Sequence, residues 1–413
     1  MNSEKLAAAE KFWIAGHGAE GRASEKFLRK HFPAMPIEIV DPVREPVKFE
    51  SGIWVISPGI PRRFFENIPA ENQTSGTEIF FEFLDENLRK KVIGISGTKG
   101  KSTTTKFVAE FLENAGKSAI AAGNFGVPLL EILDDFLAEK IEFVVAELSS
   151  YQLENLKISP GIAIFLNFSP DHLDRHGDAG NYFHAKSNLW QHQKSDDFLI
   201  VPENLGLRFS MLKLPGRLIL SRKISAKNFA ETSVFRAPHF LENFGTAEVV
   251  RQILKLPETA LKKTAENFIG LPHRLEFFAE KNGRKFYDDS ICTNPGSAAA
   301  TVKFFGGTLA AIVLGGQNRG LSYEILAEEI RKKSPRALVV VLDSEISKKV
   351  LETCDAHDLE IVRAENLDEA VKIIFEKTNS GSIVLCPAAP SYDRWKNFHE
   401  RGNAWQTAVK NFG

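Results

Sequence analysis

The chain predicts an α/β fold in successive blocks, on two observations. Short apolar runs rich in Val and Ile alternate with amphipathic stretches of about ten or more residues, and two glycine-rich turns each follow a strand and open a helix. The first block begins with a strand at Phe12–Ala15, a glycine-rich turn and a helical pattern over Arg22–His31, followed by strands at Ile37–Val40 and Trp54–Ile56. A polar stretch from Glu71 to Gly76 leads into a helix near Glu78–Leu88, and the charged residues 85–91 read as a hinge. The second block opens with the strand Val92–Ser96 and continues through strands at Phe143–Ala146 and Gly161–Leu166. The third opens near Gly270, Leu271 and Pro272, with strands at Phe286–Asp288, Leu309–Leu314, Ala337–Leu342 and Ser382–Cys386.

Composition narrows the function classes. With 413 residues, 43% hydrophobic and 25% charged, the chain is long enough for two or three cores. Lys and Arg number 52 against 53 Asp and Glu, so no bulk field favours nucleic acid or an anionic membrane, and neither is expected as a partner. The apolar runs are strand-length, far short of the ~18 residues a spanning helix needs. Cys292, Cys354 and Cys386 form no CxxC pair and no signal peptide precedes them, which predicts a protein of the reducing cytoplasm.

Gly16-His17-Gly18-Ala19-Glu20-Gly21 fits the GxGxxG pattern of a strand-to-helix turn whose backbone N–H groups hold a diphosphate. Asp41 ends the next strand, where such folds hold a ribose or base, and Ser57-Pro58-Gly59 makes a tight turn at the C-terminal end of another. A dinucleotide oxidoreductase and a bare Rossmann-like scaffold both remain open on these residues alone.

The second turn, Gly97-Thr98-Lys99-Gly100-Lys101-Ser102-Thr103, sets Gly-Lys-Ser at a helix N-terminus, where phosphate oxygens are best stabilised. Ile95 stands where strict Walker spacing has Gly, so the loop is a variant. Lys101 would neutralise terminal phosphates, and Ser102, with Thr103, would offer a hydroxyl to Mg2+. A nucleotide-bound Mg2+ also needs a carboxylate, and Glu147 ends the next strand where one is expected. The strand Gly161–Leu166 runs into Asn167 to Gly177, a loop dense in groups that bind metals, protons or carboxylates, with His172 inside it.

Taken together, GTKGKSTTT (97–105), GNFGVPLLE (123–131), ELSSYQLE (147–154), SPDHLDRHG (169–177) and HAKSNLW (184–190) resemble the Mur ligases. GLPHRLEF (270–277), DDSICTNPGS (288–297), LGGQNRG (314–320) and PAAPSYDRWKNFHERG (387–402) are similar, in order, to the D-glutamate-adding branch. The resemblance implies three domains: a Rossmann-like UDP-substrate domain (1–89), a central P-loop ATPase-like parallel sheet (90–269) and a Rossmann-like amino-acid-binding domain (270–413). It implies an ADP-forming ligase, a monomer, that joins D-glutamate to UDP-muramoyl-alanine with ATP and two Mg2+ ions.

By the same resemblance Ala19 and Glu20 would lie near the diphosphate, Asp41 near uracil, and Ser57, Pro58 and Gly59 alongside. Glu147 would hold one Mg2+. Asn124 and His172 would stand near the alanine carboxylate and a second Mg2+, to which a carbamylated Lys186 would add an anionic ligand. Asn243 would meet adenine, while Arg274 and Asp289 would reach phosphates and ribose. Thr293, Arg319, Ser391 and the backbone around Phe398 would receive the D-glutamate carboxylates. Three positions depart from the family pattern: Lys99 for Asn, Phe240 for the residues expected before Asn243, and Ile291 for a Lys. Because Ile cannot bind an anion, either Lys99 or Arg319 supplies the missing positive charge or the chain is slow, altered or inactive; the alternatives are a related Mur or folylpolyglutamate-type ligase with another amino-acid choice, or a catalytically silent nucleotide-binding paralogue.

Overall fold

The computed structural model describes residues 3–42, 50–222, 238–332 and 336–412, with the side chain of Phe240 outside the described residues. The chain packs as two compact units, one up to Phe268 and one from Ile269.

The first unit carries two parallel sheets. One contains β1 (Phe12–Ala15), β2 (Ile37–Val40), β3 (Ile53–Ile56) and β4 (Gln73–Thr74) in the order β2-β1-β3-β4. The other contains β5 (Val92–Ser96), β6 (Ala119–Gly123), β7 (Phe143–Glu147), β8 (Ile162–Phe165), β9 (Phe198–Pro202) and β10 (Arg217–Ser221) in the order β10-β9-β8-β5-β7-β6. β5 and β7 are buried along their whole length, as continuous apolar runs in a sheet covered on both faces must be. After β5 the chain crosses to the edge strand β6 and returns through β7, so the C-terminal ends of β5, β7 and β8 form the switch point where open α/β sheets bind ligands.

The two sheets share one core. Phe80 and Phe81 from the helix Gly76–Glu82 and Phe27 from the helix Ala19–His31 pack in the same cluster as Leu129, Leu133 and Phe136 of the helix Leu129–Leu137. Phe80 stacks on Phe136 with ring centroids 6.1 Å apart. The charged stretch expected as a hinge is a short helix, Glu86–Lys90, pinned by Arg89. That nearly buried guanidinium donates to Glu86 at 2.6 Å, Asp197 at 2.9 Å and the Ser159 carbonyl at 2.9 Å. The helix expected near Glu78–Leu88 is two helices, broken where Asp85 caps the second by accepting from the Leu88 N–H.

The second unit holds one mixed sheet of β11 (Glu276–Lys281), β12 (Arg284–Asp288), β13 (Leu309–Leu314), β14 (Leu338–Leu342), β15 (Ile361–Ala364) and β16 (Gly381–Leu385), in the order β11-β12-β16-β13-β14-β15. Only the β11–β12 pair is antiparallel. Separate apolar clusters cover its two faces.

Candidate active site

The second glycine-rich turn is built by backbone conformation first. Gly97 and Gly100 have φ of +150° and +83°, values an L side chain resists, and the turn delivers Lys101 as the first residue of the helix Lys101–Asn114. The loop is stapled to the segment after β8: the Lys99 N–H donates to Asn167 Oδ1 at 2.8 Å, Asn167 Nδ2 returns a bond to the Lys99 carbonyl at 2.9 Å, and Thr98 Oγ1 bonds the Ser169 carbonyl at 3.0 Å. Lys101 Nζ lies across the loop, donating to the carbonyls of Gly97 at 3.1 Å and Thr98 at 3.0 Å. Ser102 and Thr103 follow in the first helical turn. Asn243, buried in the helix Pro238–Leu254, abuts Gly100, and its Nδ2 has no partner among the described residues.

Glu147 closes β7 opposite Ile95 of β5 and Gly123 of β6. Only 2% exposed, it accepts from Asn124 Nδ2 at 2.8 Å through Oε1, while Oε2 is buried and has no partner among the described residues. An orphaned carboxylate oxygen in such a place is costly unless a cation or donor arrives, so the residues present fit a divalent ion. Lys186, 1% exposed, donates to the Gly97 carbonyl at 2.9 Å. Burial, with the Lys101 cation adding to it, pushes its amine down to about 7. His172 has a left-handed φ of +52° at the start of the helix Leu173–His176, and its Nδ1 meets the Tyr151 hydroxyl at 3.1 Å. Glu147 thus ends β7, and Lys101, Asn124, His172 and Lys186 come from loops and helices that follow β5, β6 and β8.

A cavity of about 500 Å³ at the first glycine-rich turn gathers Ala19, Glu20, Asp41, Ser57, Pro58, Gly59 and Asn124. Gly21 is required there: a Cβ on it would sit 2.0 Å from the Gly16 carbonyl oxygen. Ser57 Oγ donates to that same carbonyl at 2.8 Å, tying the turns after β1 and β3 together. Gln152, which the sequence reading missed, also lines this cavity. Burial raises the Glu20 carboxyl to about 7, opposed by a hydrogen bond from Gln152.

In the second unit Arg274 stands just before β11, and the other expected residues follow β12, β13 and β16. Asp289, after β12, is buried, and its oxygens accept from Thr301 Oγ1 at 2.8 Å, Cys386 Sγ at 3.4 Å and the Leu275 N–H at 3.3 Å. Burial pushes this carboxyl up to about 6. Arg274 Nε is buried without a partner among the described residues, Thr293 is half-buried, Ser391 is buried and Arg319 is exposed. The Phe398 carbonyl accepts from Ser290 Oγ at 2.8 Å. Arg401, fully buried, was not foreseen: its guanidinium donates to Ser290 Oγ at 3.0 Å and to the carbonyls of Ser290, Gly315 and Ala389 at 2.8, 3.2 and 3.0 Å. It ties together the three loops on which Asp289, Arg319 and Ser391 stand. Ile291 brings no charge to this region, and its N–H donates to the His273 carbonyl at 3.2 Å.

Comparison with known proteins places this geometry. Residues 95–242 match the Mur ligase middle domain. A UDP-N-acetylmuramoylalanine-D-glutamate ligase of Natranaerobius thermophilus is 32% identical over 88% of this chain and 85% of its own. One from Aquifex aeolicus is 30% identical over 97% and 98%. Among solved structures, the UDP-N-acetylmuramate-alanine ligase of Thermotoga maritima shares the fold with a TM-score of 0.59 at 15% identity, covering 97% of this chain and 99% of that one. The MurF ligase of the same organism, solved with ADP, has a TM-score of 0.58 at 15% identity over 98% and 96%. Similarity of this extent, carried by a nucleotide loop, an orphaned acid and a second glycine-rich cavity, shows that the chain belongs to the UDP-N-acetylmuramoylalanine-D-glutamate ligase family of the Mur ligases.

Proposed function

We propose that the chain uses ATP to join D-glutamate to UDP-N-acetylmuramoyl-L-alanine, a step of peptidoglycan precursor synthesis, and that it works as a cytoplasmic monomer. The observation that carries this reading is that Lys101 and Lys186 both bond the Gly97 carbonyl of one phosphate loop, with the orphaned Glu147 oxygen at the end of the neighbouring strand, beside a cavity that gathers the residues expected for a nucleotide sugar. No helix among the described residues is long and apolar enough to cross a membrane. The names of the relatives support the substrates.

A carboxylate does not react with an amine in neutral water, so it must first become an electrophile. The alanine carboxylate attacks the γ-phosphorus of ATP, ADP leaves, and an acyl phosphate results. The glutamate amine then attacks the acyl carbon and expels phosphate. Lys101 offsets the charge that repels the incoming carboxylate, Asn124 and His172 orient that carboxylate, and Asn243 holds adenine. Glu147, Ser102, His172 and a carbamylated Lys186 would hold two Mg2+ ions, which when bound neutralise phosphate charge and align the reacting oxygens. Arg274 and Asp289 serve the nucleotide, and Thr293, Arg319, Ser391 and the Phe398 backbone serve D-glutamate. Residues 1–89, 90–269 and 270–413 are the three domains that divide this work.

Release of ADP on UDP-N-acetylmuramoyl-L-alanine with a panel of D- and L-amino acids tests the reading. D-glutamate is expected to give the fastest release. A different preferred amino acid would assign the changed choice to the site around Ile291, and no release with any would leave a silent paralogue.

A further inference from the structure

We propose that Glu20 acts as a proton-linked selector of the nucleotide-sugar pocket: its carboxyl takes up a proton from solvent when the diphosphate binds and donates a hydrogen bond to it. The inference rests on the substrate reading above and concerns a feature that reading does not explain. A glycine-rich turn at the start of the helix Ala19–His31 offers N–H groups and a helix dipole to an anion, yet this chain places its own carboxylate in the first turn of that helix. An ionised Glu20 and a diphosphate would repel each other in the same cavity.

The geometry identifies the oxygen that carries the proton. Ser149 and Gln152 form a capping box in which Gln152 Oε1 accepts from the Ser149 N–H at 3.0 Å. This fixes the orientation of the amide, so Gln152 must present its NH2 to Glu20, and it donates to Oε1 at 2.9 Å. Oε1 is therefore held as an acceptor. Oε2 makes no hydrogen bond among the described residues and faces Gly76, where a Cβ would lie 3.3 Å from it. It is the oxygen left free to become a hydroxyl.

Among the described residues, the charged groups around Glu20 offer it no cation. His17 and Asp41 line the same cavity. His17 is engaged with Glu25 at 2.7 Å, and Arg22, on the helix of Glu20, donates to the His17 carbonyl at 3.0 Å. Glu78 stands on the helix Gly76–Glu82, and Glu154 pairs with Arg175 at 3.4 Å beside Gln152. Burial without a cation favours the neutral carboxyl, in line with its upward displacement to about 7. An arriving diphosphate extends that preference. Each phosphate of a sugar-linked nucleotide carries one charge that does not titrate near neutrality, so the proton must go to the protein.

Calorimetry of UDP-N-acetylmuramoyl-L-alanine binding in buffers of different ionisation enthalpy reads this directly. For the wild type, net uptake should approach about one proton per site at pH 8 and fall towards zero at pH 6, with affinity weakening about tenfold per pH unit above 7. Glu20→Gln keeps the shape of the side chain and should lose that proton, binding with an affinity that is flat across the same range. Both proteins share every other titratable group, Lys186 included, so the difference between them is the diagnostic quantity. Equal uptake in both overturns the proposal, as does wild-type binding with no proton exchange, which leaves the substrate reading standing. Absence of binding by the wild type overturns the substrate reading and the proposal together. Where Glu20→Gln fails to fold, Glu20→Ala supplies the same comparison, and it too should bind with an affinity that is flat across this range.

Discussion

The first unit contains two glycine-rich turns of the same plan and opposite chemistry. Both leave the C-terminal end of a parallel strand and open a helix, at Ala19 and at Lys101. The turn after β1 sets Glu20 in the first helical turn, whereas the turn after β5 sets Lys101 there with Ser102 and Thr103. Backbone geometry alone makes a phosphate site possible, and the side chains decide what is done with the phosphate. A site that only holds a substrate tolerates a carboxyl that can take a proton. A site that must transfer a phosphoryl group needs a fixed cation and ligands for a metal.

Breaking the cationic turn has the largest expected effect. Lys101→Ala should lower ADP release by about 10³-fold while leaving thermal unfolding unchanged, because Lys101 bonds loop carbonyls of its own turn and fills no apolar core. Near-normal turnover would remove phosphoryl chemistry from this loop. Lys186→Ala should cost about 10²-fold, with partial rescue by acetate and, in the wild type, dependence on dissolved CO2. Full activity of that variant in CO2-depleted buffer would remove the carbamate and the second metal from the proposal.

On the other turn the effects move from rate to binding and stability. Gly21→Ala forces a Cβ to within 2.0 Å of a backbone oxygen and should cost about 2 kcal/mol in urea unfolding while weakening UDP-sugar binding. The smallest effect concerns pH. The folded Glu20 carboxyl lies at about 7 against an ordinary 4.5, so the unfolded chain gives up this proton more readily. The cost of burying the carboxylate is absent at low pH, appears as pH climbs past the ordinary value, and is complete above the folded one. Glu20→Gln should therefore be about 1 kcal/mol more stable than wild type at pH 8 and match it in acid, as followed by denaturant titration at each pH. A variant equally stable at both would mean that Glu20 is not held neutral.

Legibility followed the physics of each residue. β5, β7 and β8 were readable because a buried parallel strand must be a continuous apolar run, and the chemistry sits where each run stops, at Gly97, Glu147 and Asn167. β6, Ala-Ile-Ala-Ala-Gly, was not readable, since small residues give almost no hydrophobic contrast. The β11–β12 hairpin did carry a signal, the Asn282-Gly283 turn between two apolar stretches, which went unread. Residues 85–91 looked like a hinge because charge is usually solvated. What anchors Arg89 is Asp197, whose proximity no local pattern reveals. Arg401 escaped for the same reason: its partners are carbonyls on three distant loops.

The stacking of Phe80 on Phe136 bears on how such a protein can be cut and recombined. The helix Gly76–Glu82 hangs from the first sheet, yet its phenylalanines fill space that the helix Leu129–Leu137 of the second sheet leaves open. A chain begun after Lys90 would present a row of leucines and Phe136 to water, and one ended there would do the same with Phe80 and Phe81. Exchange of the segment up to Lys90 between relatives is therefore constrained less by the linker than by a pair of rings: a donor segment keeps its fold only if its aromatic plug fits the recipient's groove.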